Sequence, residues 1–133
     1  MIVVLDASVV IDLLLDREPY SHEIEAFIRR ADLLAAPHLL DVEVAQVLRR
    51  FLLRGELGSQ RARQALHDLV DCPIQRYAHY PLIARAFQLA HNLTIYDAAY
   101  VVLTEALDAT LLTRDSAMEQ TPGTDIKVQL IGR

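Results

Sequence analysis

The chain has 133 residues, 53% of them hydrophobic, and a formal net charge of −5. This length and composition fit one globular domain spanning residues 1–133 and exclude a disordered chain. The negative charge argues against indiscriminate nucleic-acid binding, because that binding depends on cations placed at phosphates.

The sequence also bears on where in the cell the protein is expected. The single cysteine, Cys72, excludes an internal disulfide, and no cationic segment leads into a signal-like apolar run. No stretch approaches the roughly 18 uninterrupted apolar residues of a membrane span. A soluble protein of the reducing cytoplasm, without membrane attachment, is therefore expected.

The first half of the chain alternates apolar runs with helical patterns. Ser8 could cap the first helix, Pro19 ends it, and Gly55 ends the long helix. In chain order the pattern predicts a strand at 2–5, helices at 8–15 and 20–30, a strand at 33–36, and helices at 40–54 and 59–70.

The second half continues the alternation. Pro81 suits the first position of a helix, and Asp108 could replace the glycine that usually ends one. In chain order the pattern predicts a strand at 74–77, helices at 82–91 and 97–107, a strand at 110–113, a short helical turn from Asp115 and a strand at 128–131.

Strands separated by helices imply parallel pairing through crossovers. The predicted fold class is therefore α/β, with a central parallel sheet of about four to five strands and helices on both faces. In such sheets the binding crevice lies beyond the carboxyl ends of the strands, where strand order reverses.

Four acidic residues point to that crevice. Asp6 and Asp115 follow strands, Asp97 opens a helix, and Glu43 lies on the face of the long helix. Carboxylates brought together repel one another unless a divalent cation lies between them, and Mg²⁺ or Mn²⁺ prefers such oxygen-rich sites. The pattern predicts a metal-dependent enzyme acting on phosphate esters.

Two arginines share the helical stripe of Glu43. Arg50 and Arg54 follow it at i+7 and i+11, which is the same face at about 3.6 residues per turn. Only one of the 13 basic residues, Lys127, is a lysine, and arginine suits planar contacts to phosphate. The two arginines could contact a phosphate backbone, or they could form an ordinary polar face.

Four ordered blocks of sequence carry a resemblance that spans nearly the whole chain. They are VLDASV at 4–9, PHLLDVEV at 37–44, HNLTIYDAAY at 91–100 and LLTRD at 111–115. With these blocks the sequence resembles the PIN-domain ribonucleases, specifically the VapC-like toxins of type II toxin–antitoxin pairs. The resemblance implies a PIN-like fold and metal-dependent hydrolysis of RNA phosphodiester bonds.

The same resemblance assigns roles to residues. It implies that Asp6, Glu43, Asp97 and Asp115 are the catalytic acids and hold Mg²⁺ or Mn²⁺. Ser8 and Thr113 stand where family members carry Ser or Thr, so their hydroxyls could orient a carboxylate or a water molecule. Alternatively Ser8 only caps a helix and Thr113 only fills a strand.

Partners also follow from the resemblance. It implies an RNA substrate, a cognate antitoxin whose tail lies across the active-site groove, and a homodimer. Neither the RNA that is cleaved nor the number of metal ions, one or two, follows from the residues.

The main alternative is a catalytically inactive PIN-fold module for protein interaction, which would have no reason to keep four mutually repelling acids in one crevice. A receiver-type signalling domain and a haloacid-dehalogenase-like phosphatase fit less well. The receiver would need an acid adjacent to Asp6, where Ala7 stands, and the phosphatase would need Asp at Ser8.

Several other residues have simpler explanations. Cys72 has no partner motif. Tyr96 and Tyr100 have the spacing of packing residues, although they could stack on a base. Asp12 and Asp16 share what is predicted to be a solvated face, with a supporting role left open for Asp12. The histidines lack paired metal-ligand spacing; they are His22, His38, His67, His79 and His91.

Overall fold

A computed structural model describes all 133 residues, Met1–Arg133. Five strands and six α-helices alternate along the chain, as the sequence predicts. The strands are β1 (Ile2–Leu5), β2 (Leu33–Pro37), β3 (Ile74–Tyr77), β4 (Thr110–Thr113) and β5 (Lys127–Leu130). The helices are α1 (Ala7–Leu14), α2 (Tyr20–Ile28), α3 (Leu39–Leu53), α4 (Ser59–Asp71), α5 (Ile83–Phe87) and α6 (Ile95–Ala106).

All strands pair in parallel, in the order β3-β2-β1-β4-β5. The chain builds outward from β1 to β3 on one side, then returns to β4 and β5 on the other side. Strand order therefore reverses between β1 and β4, so the crevice expected of such sheets lies at their carboxyl ends. The predicted α/β class with a parallel sheet is confirmed.

Helices cover both faces of the sheet because the adjacent strands β1 and β4 are apolar on both sides. Val3, Val4, Leu111 and Leu112 are fully buried. Helices α1 to α4 contact one another in one layer, whereas α6 packs on β1, β2 and β4 with α5 beside it. No helix is both long enough and apolar enough to cross a membrane.

Three predicted boundaries are wrong. Helix α1 is capped by Asp6, not Ser8, because the Asp6 carboxylate accepts the Ala7 N–H. Helix α6 begins two residues earlier than predicted, since Thr94 accepts the Asp97 N–H and caps it. The helix predicted at 82–91 shortens to α5, preceded by a 3₁₀ turn at Tyr80–Leu82. Asp108 does adopt a positive φ of 49° after α6, as the sequence predicts.

Two leucines of α3 provide a test of this packing. Leu48 is 2% exposed in the core, whereas Leu53 is 67% exposed on the same helix. Leu48→Ala is expected to lower the free energy of unfolding by about 2–5 kcal/mol, since it removes buried methyl groups and leaves a cavity. Leu53→Ala should change it by about 0.5 kcal/mol or less. Urea unfolding measures both values, and similar losses in the two variants would contradict the packing of α3.

Candidate active site

The structure brings the four sequence-predicted acids to one end of the sheet. Asp6 directly follows β1, and Asp115 lies two residues after β4. Asp97 occupies the first turn of α6. Glu43 lies near the start of α3, which is anchored because Arg76 donates to the Asp41 carboxylate at 2.9 and 3.3 Å.

Asp6 is the most enclosed of the four acids. It is 7% exposed, and its carboxylate accepts three hydrogen bonds. Its Oδ1 accepts the Ala7 N–H at 2.9 Å, while Oδ2 accepts the hydroxyls of Ser8 at 3.0 Å and Thr113 at 2.7 Å. These contacts fix the carboxylate between the ends of β1 and β4.

The Ser8 and Thr113 hydroxyls do more than orient Asp6. Each also accepts a backbone N–H from the segment after β4: Ser8 Oγ accepts from Arg114 at 3.2 Å, and Thr113 Oγ1 accepts from Asp115 at 3.0 Å. Each hydroxyl therefore links the Asp6 carboxylate to the backbone that carries Asp115. This geometry is that of orienting residues, and Ser8 is not the helix cap.

No cationic side chain lowers the pKa values of the acids in the crevice. Burial raises the pKa of Asp6, with a smaller contribution from the Asp115 charge, and outweighs the lowering effect of its hydrogen bonds. Burial likewise raises the pKa of Glu43, helped by the charges of Asp6 and Asp97. Burial and the charges of Asp6 and Asp115 raise the pKa of Asp97. Asp6, Asp97 and Asp115 are thus close enough for their charges to raise the pKa of a neighbouring carboxyl.

Glu43 presents an unsatisfied oxygen to this crevice. Its Oε1 is buried without a hydrogen-bond partner, and so is the hydroxyl of Tyr100 on α6. Burial and the nearby Glu43 charge raise the pKa of Tyr100, so the phenol stays neutral. The Tyr100 phenol lies close enough to Glu43 to lower the pKa of that carboxyl, although no hydrogen bond of ordinary geometry joins the two groups. A buried carboxylate oxygen without a donor is costly unless a cation satisfies it.

These residues fit a divalent metal by their chemistry. Their donors are hard carboxylate oxygens, the pKa directions indicate missing positive charge, and Glu43 Oε1 is free to accept a ligand. As they stand, no three His, Cys, Asp or Glu side chains converge closely enough to form a coordination group. Binding of an ion would therefore have to draw the carboxylates together.

The prediction of a solvated face at Asp12 is wrong. Asp12 is 0% exposed, and its Oδ2 accepts the Arg114 Nη1–H at 2.8 Å. The sequence carried a signal, because a lone aspartate stands inside the apolar run VVIDLLL. Asp16 is exposed, with a positive φ of 52° just beyond α1.

A groove with a volume of about 330 Å³ leads away from the crevice along α3. Glu43, Arg50 and Tyr96 line it, whereas Arg54 does not. Tyr96 is 61% exposed, so its prediction as a packing residue is wrong, while Tyr100 is buried as predicted. Sequence periodicity does not separate the two tyrosines, because Tyr96 lies at the open end of α6.

Histidine and cysteine are absent from this site. His38 and His79 lie edge to face with ring centroids 6.3 Å apart, and no histidine belongs to a metal-binding group. Cys72 is a free thiol between α4 and β3, and burial raises its pKa. A raised pKa favours the protonated thiol over the reactive thiolate.

Comparisons with known proteins agree with this geometry. A family model described as PIN domain matches residues 3–123. Ribonuclease VapC1 of Mycobacterium tuberculosis is 40% identical over 129 residues, which cover 96% of each chain. Ribonuclease VapC9 of the same species is 36% identical over 103 residues, covering 77% of this chain and 81% of VapC9.

A solved structure shares the fold at low sequence identity. The crystal structure of VapBC2 from Rickettsia felis, bound to a DNA fragment from its promoter, superposes with a TM-score of 0.71. The match is 11% identical and covers 98% of this chain and 99% of the other. At that identity the likeness concerns the fold alone.

The raised pKa values predict how the stability of the metal-free protein depends on pH. Folded Asp6, Glu43 and Asp97 take up protons before the unfolded chain does as pH falls from 7 toward their ordinary values near about 4. The free energy of unfolding should therefore rise as pH falls through that window. Asp32 and Glu105 have lowered pKa values and act oppositely, mainly below about pH 5.

Urea unfolding in chelator at pH 7, 6 and 5 measures this dependence. Glu43→Gln should raise the stability at pH 7 and flatten the profile, because the charge that resists burial is removed. Glu56→Gln, at an exposed glutamate, is the matched control and should do neither. Stability that falls steadily from pH 7 to 5 would contradict the electrostatics described above.

Proposed function

This chain belongs to the PIN-domain family, and from that membership we propose that it is a metal-dependent endoribonuclease, the toxin of a toxin–antitoxin pair. Two VapC ribonucleases of Mycobacterium tuberculosis at 40% and 36% identity support this activity. The observation that carries the proposal is the meeting of four acids at the reversal of strand order, where burial and neighbouring acidic charges raise the pKa of three of them.

The proposed metal ligands are the four acids themselves. Asp6, Glu43, Asp97 and Asp115 would hold Mg²⁺ or Mn²⁺, which when bound supplies positive charge at the scissile phosphate and lowers the pKa of a coordinated water. The free Oε1 of Glu43 and the raised pKa values of three of the acids support this assignment.

The remaining roles belong to the scaffold around the acids. Ser8 and Thr113 are proposed as supporting residues that keep Asp6 oriented, since each donates its hydroxyl proton to Oδ2. Thr94 holds the first turn of α6 and thereby the position of Asp97. Orientation of this kind removes the cost of arranging charged groups during the reaction.

The substrate is proposed to be RNA, hydrolysed at a phosphodiester bond. Arg50 lines the groove beside Glu43, and Arg54 ends α3 on the same stripe, so both are proposed phosphate contacts. With a net charge of −5 the protein should bind bulk RNA weakly, and selectivity would come from the shape of an RNA loop or stem.

Two protein partners are proposed as well. One is a cognate antitoxin, the partner that the resemblance to VapC-like toxins implies. The other is a second copy of this chain, for which exposed Tyr80 and Phe87 offer apolar surface. Light scattering of the purified chain should give the mass of a dimer, and a monomer at high concentration would contradict the homodimer.

RNA cleavage tests the central proposal. Purified protein free of antitoxin is incubated with a panel of structured RNAs in Mg²⁺, in Mn²⁺ or in chelator. We expect cleavage that depends on metal and disappears in the Asp6→Asn/Asp97→Asn double variant, because two of the four proposed ligands lose their charge.

Calorimetric metal titration of the same two proteins is the control for a missing RNA target. Metal binding by the wild type that the double variant lacks would keep the nuclease proposal even if the panel contains no substrate. Absence of both metal binding and cleavage would favour the inactive interaction module instead.

Arg50 provides a second test through salt dependence. Arg50→Ala should weaken RNA binding and reduce the slope of log affinity against log salt by about 1, because one phosphate contact is lost. Arg49→Ala is the matched control, since the neighbouring exposed arginine points away from the Glu43 stripe. Equal slopes for the two variants would remove Arg50 from the interface.

A further inference from the structure

An ion pair lies beside the acidic crevice without being one of its four acids. Asp12 is completely buried on α1, and its Oδ2 accepts the Arg114 Nη1–H at 2.8 Å. The proposed reaction does not use Asp12. A buried carboxylate is costly, and replacing such a pair by apolar residues is often neutral for stability. Stability alone therefore does not account for this pair.

Arg114 lies on the segment that carries Asp115. Its own N–H donates to Ser8 Oγ at 3.2 Å, and Ser8 in turn donates to Asp6 Oδ2 at 3.0 Å. Ser8 and Asp12 are four residues apart and so lie one turn apart on the same face of α1. Helix α1 thus holds Arg114 at two points, the backbone through Ser8 and the guanidinium through Asp12.

The guanidinium is restrained on its flat face too. Arg114 Cζ lies 3.7 Å from the centroid of the Tyr20 ring. Tyr20 packs closely on Gly132, where a Cβ would come within 2.8 Å of the ring. A planar guanidinium that stacks on an aromatic ring and also bonds a carboxylate has little rotamer freedom left.

We propose that Asp12 and Arg114 are positioning residues that fix the segment 113–115 against α1. They act through the Ser8 hydroxyl and the Asp115 backbone, so the Asp115 carboxylate is held at a set place relative to Asp6. This role rests on the proposed RNA hydrolysis, in which both Asp6 and Asp115 take part. Neither Asp12 nor Arg114 is a catalytic residue in it.

Arg17 offers a matched control on the same carboxylate. Its Nη1 lies 3.8 Å from Asp12 Oδ1, and its guanidinium stacks on Phe51 at 4.6 Å. It has no hydrogen bond to Ser8 or to the segment 113–115. Arg17→Met therefore removes a charge and a stacked side chain near Asp12 without touching the crevice.

The experiment compares the full-length wild type with Arg114→Met, Arg114→Lys, Arg17→Met and the double variant Asp12→Val/Arg114→Met. Two quantities are measured. One is the NMR hydrogen-exchange rate of the Arg114 and Asp115 amides in metal-free protein. The other is kcat and KM for a cleaved RNA in Mg²⁺.

Arg114→Met should lower kcat by about 10- to 100-fold with little change in KM, as expected when a residue that orients a metal ligand is lost. Exchange at the Arg114 and Asp115 amides should become faster. Arg114→Lys should recover part of kcat, because an ammonium can still pair with Asp12. Arg17→Met should leave kcat and both amides unchanged.

The double variant separates positioning from stability. With no unpaired carboxylate left buried, it should fold more stably than Arg114→Met, yet kcat should stay low. This keeps the inference testable if Arg114→Met unfolds. Recovery of kcat together with stability would overturn the positioning role.

Two other results would also overturn it. One is an Arg114→Met variant whose amide-exchange rates and kcat equal those of the wild type. The other is a loss confined to KM with a weaker salt dependence and unchanged amides, which would make Arg114 a direct phosphate contact. If the wild type cleaves no RNA, the proposed function fails by itself. Amide exchange then still decides the positioning role, since faster exchange in Arg114→Met alone supports it and equal exchange overturns it.

Discussion

The carboxylate of Asp6 has to remain inside the protein at the point where the two central strands end. Burial raises its pKa, and three hydrogen bonds only partly offset that cost. The hydrogen bonds around Asp6 meet this constraint. The Ser8 and Thr113 hydroxyls satisfy Asp6 and the backbone after β4 at once, so the acid can stay buried only while α1, β1 and β4 keep their arrangement.

Two buried aspartates lie six residues apart, Asp6 at the N-cap of α1 and Asp12 within the helix, and they are compensated in different ways. Asp12 pairs with Arg114 and lies near Arg17, each of which stacks on an aromatic ring. Asp6 has hydroxyl and amide donors but no cationic side chain, and the charge of Asp115 raises its pKa further. Asp12 thus has cationic partners within the fold, although its Oδ1 accepts no hydrogen bond, whereas Asp6 has none and a divalent cation would supply that charge.

Predictability of the site varied with how each residue is placed. Asp6 and Asp115 follow apolar strands, so topology alone puts them at the crevice, and Glu43 could be assigned from the four sequence blocks. Asp12 and Tyr96 were misassigned. A single acid on a helix is predicted to be exposed to solvent. Asp12 is buried because Arg114, 102 residues away in the sequence, covers it. Tyr96 and Tyr100 lie on the same face of α6. Tyr100 is buried and Tyr96 is exposed, because only the later turns of α6 lie inside the fold.

The sequence by itself determined the class of the fold and the parallel pairing of its strands, because strand and helix periodicity are local properties, and it predicted which four acids meet at the crevice. The predicted starts of the helices were less accurate, because two neighbouring residues could each cap the helix. The candidates are Asp6 and Ser8 for α1, and Thr94 and Asp97 for α6. Only the tertiary structure decided which groups are desolvated, which hydroxyl bridges which carboxylate, and that Arg114 joins α1 to the end of β4. Burial and hydrogen bonding between residues about 100 positions apart depend on packing in three dimensions, which no local pattern records.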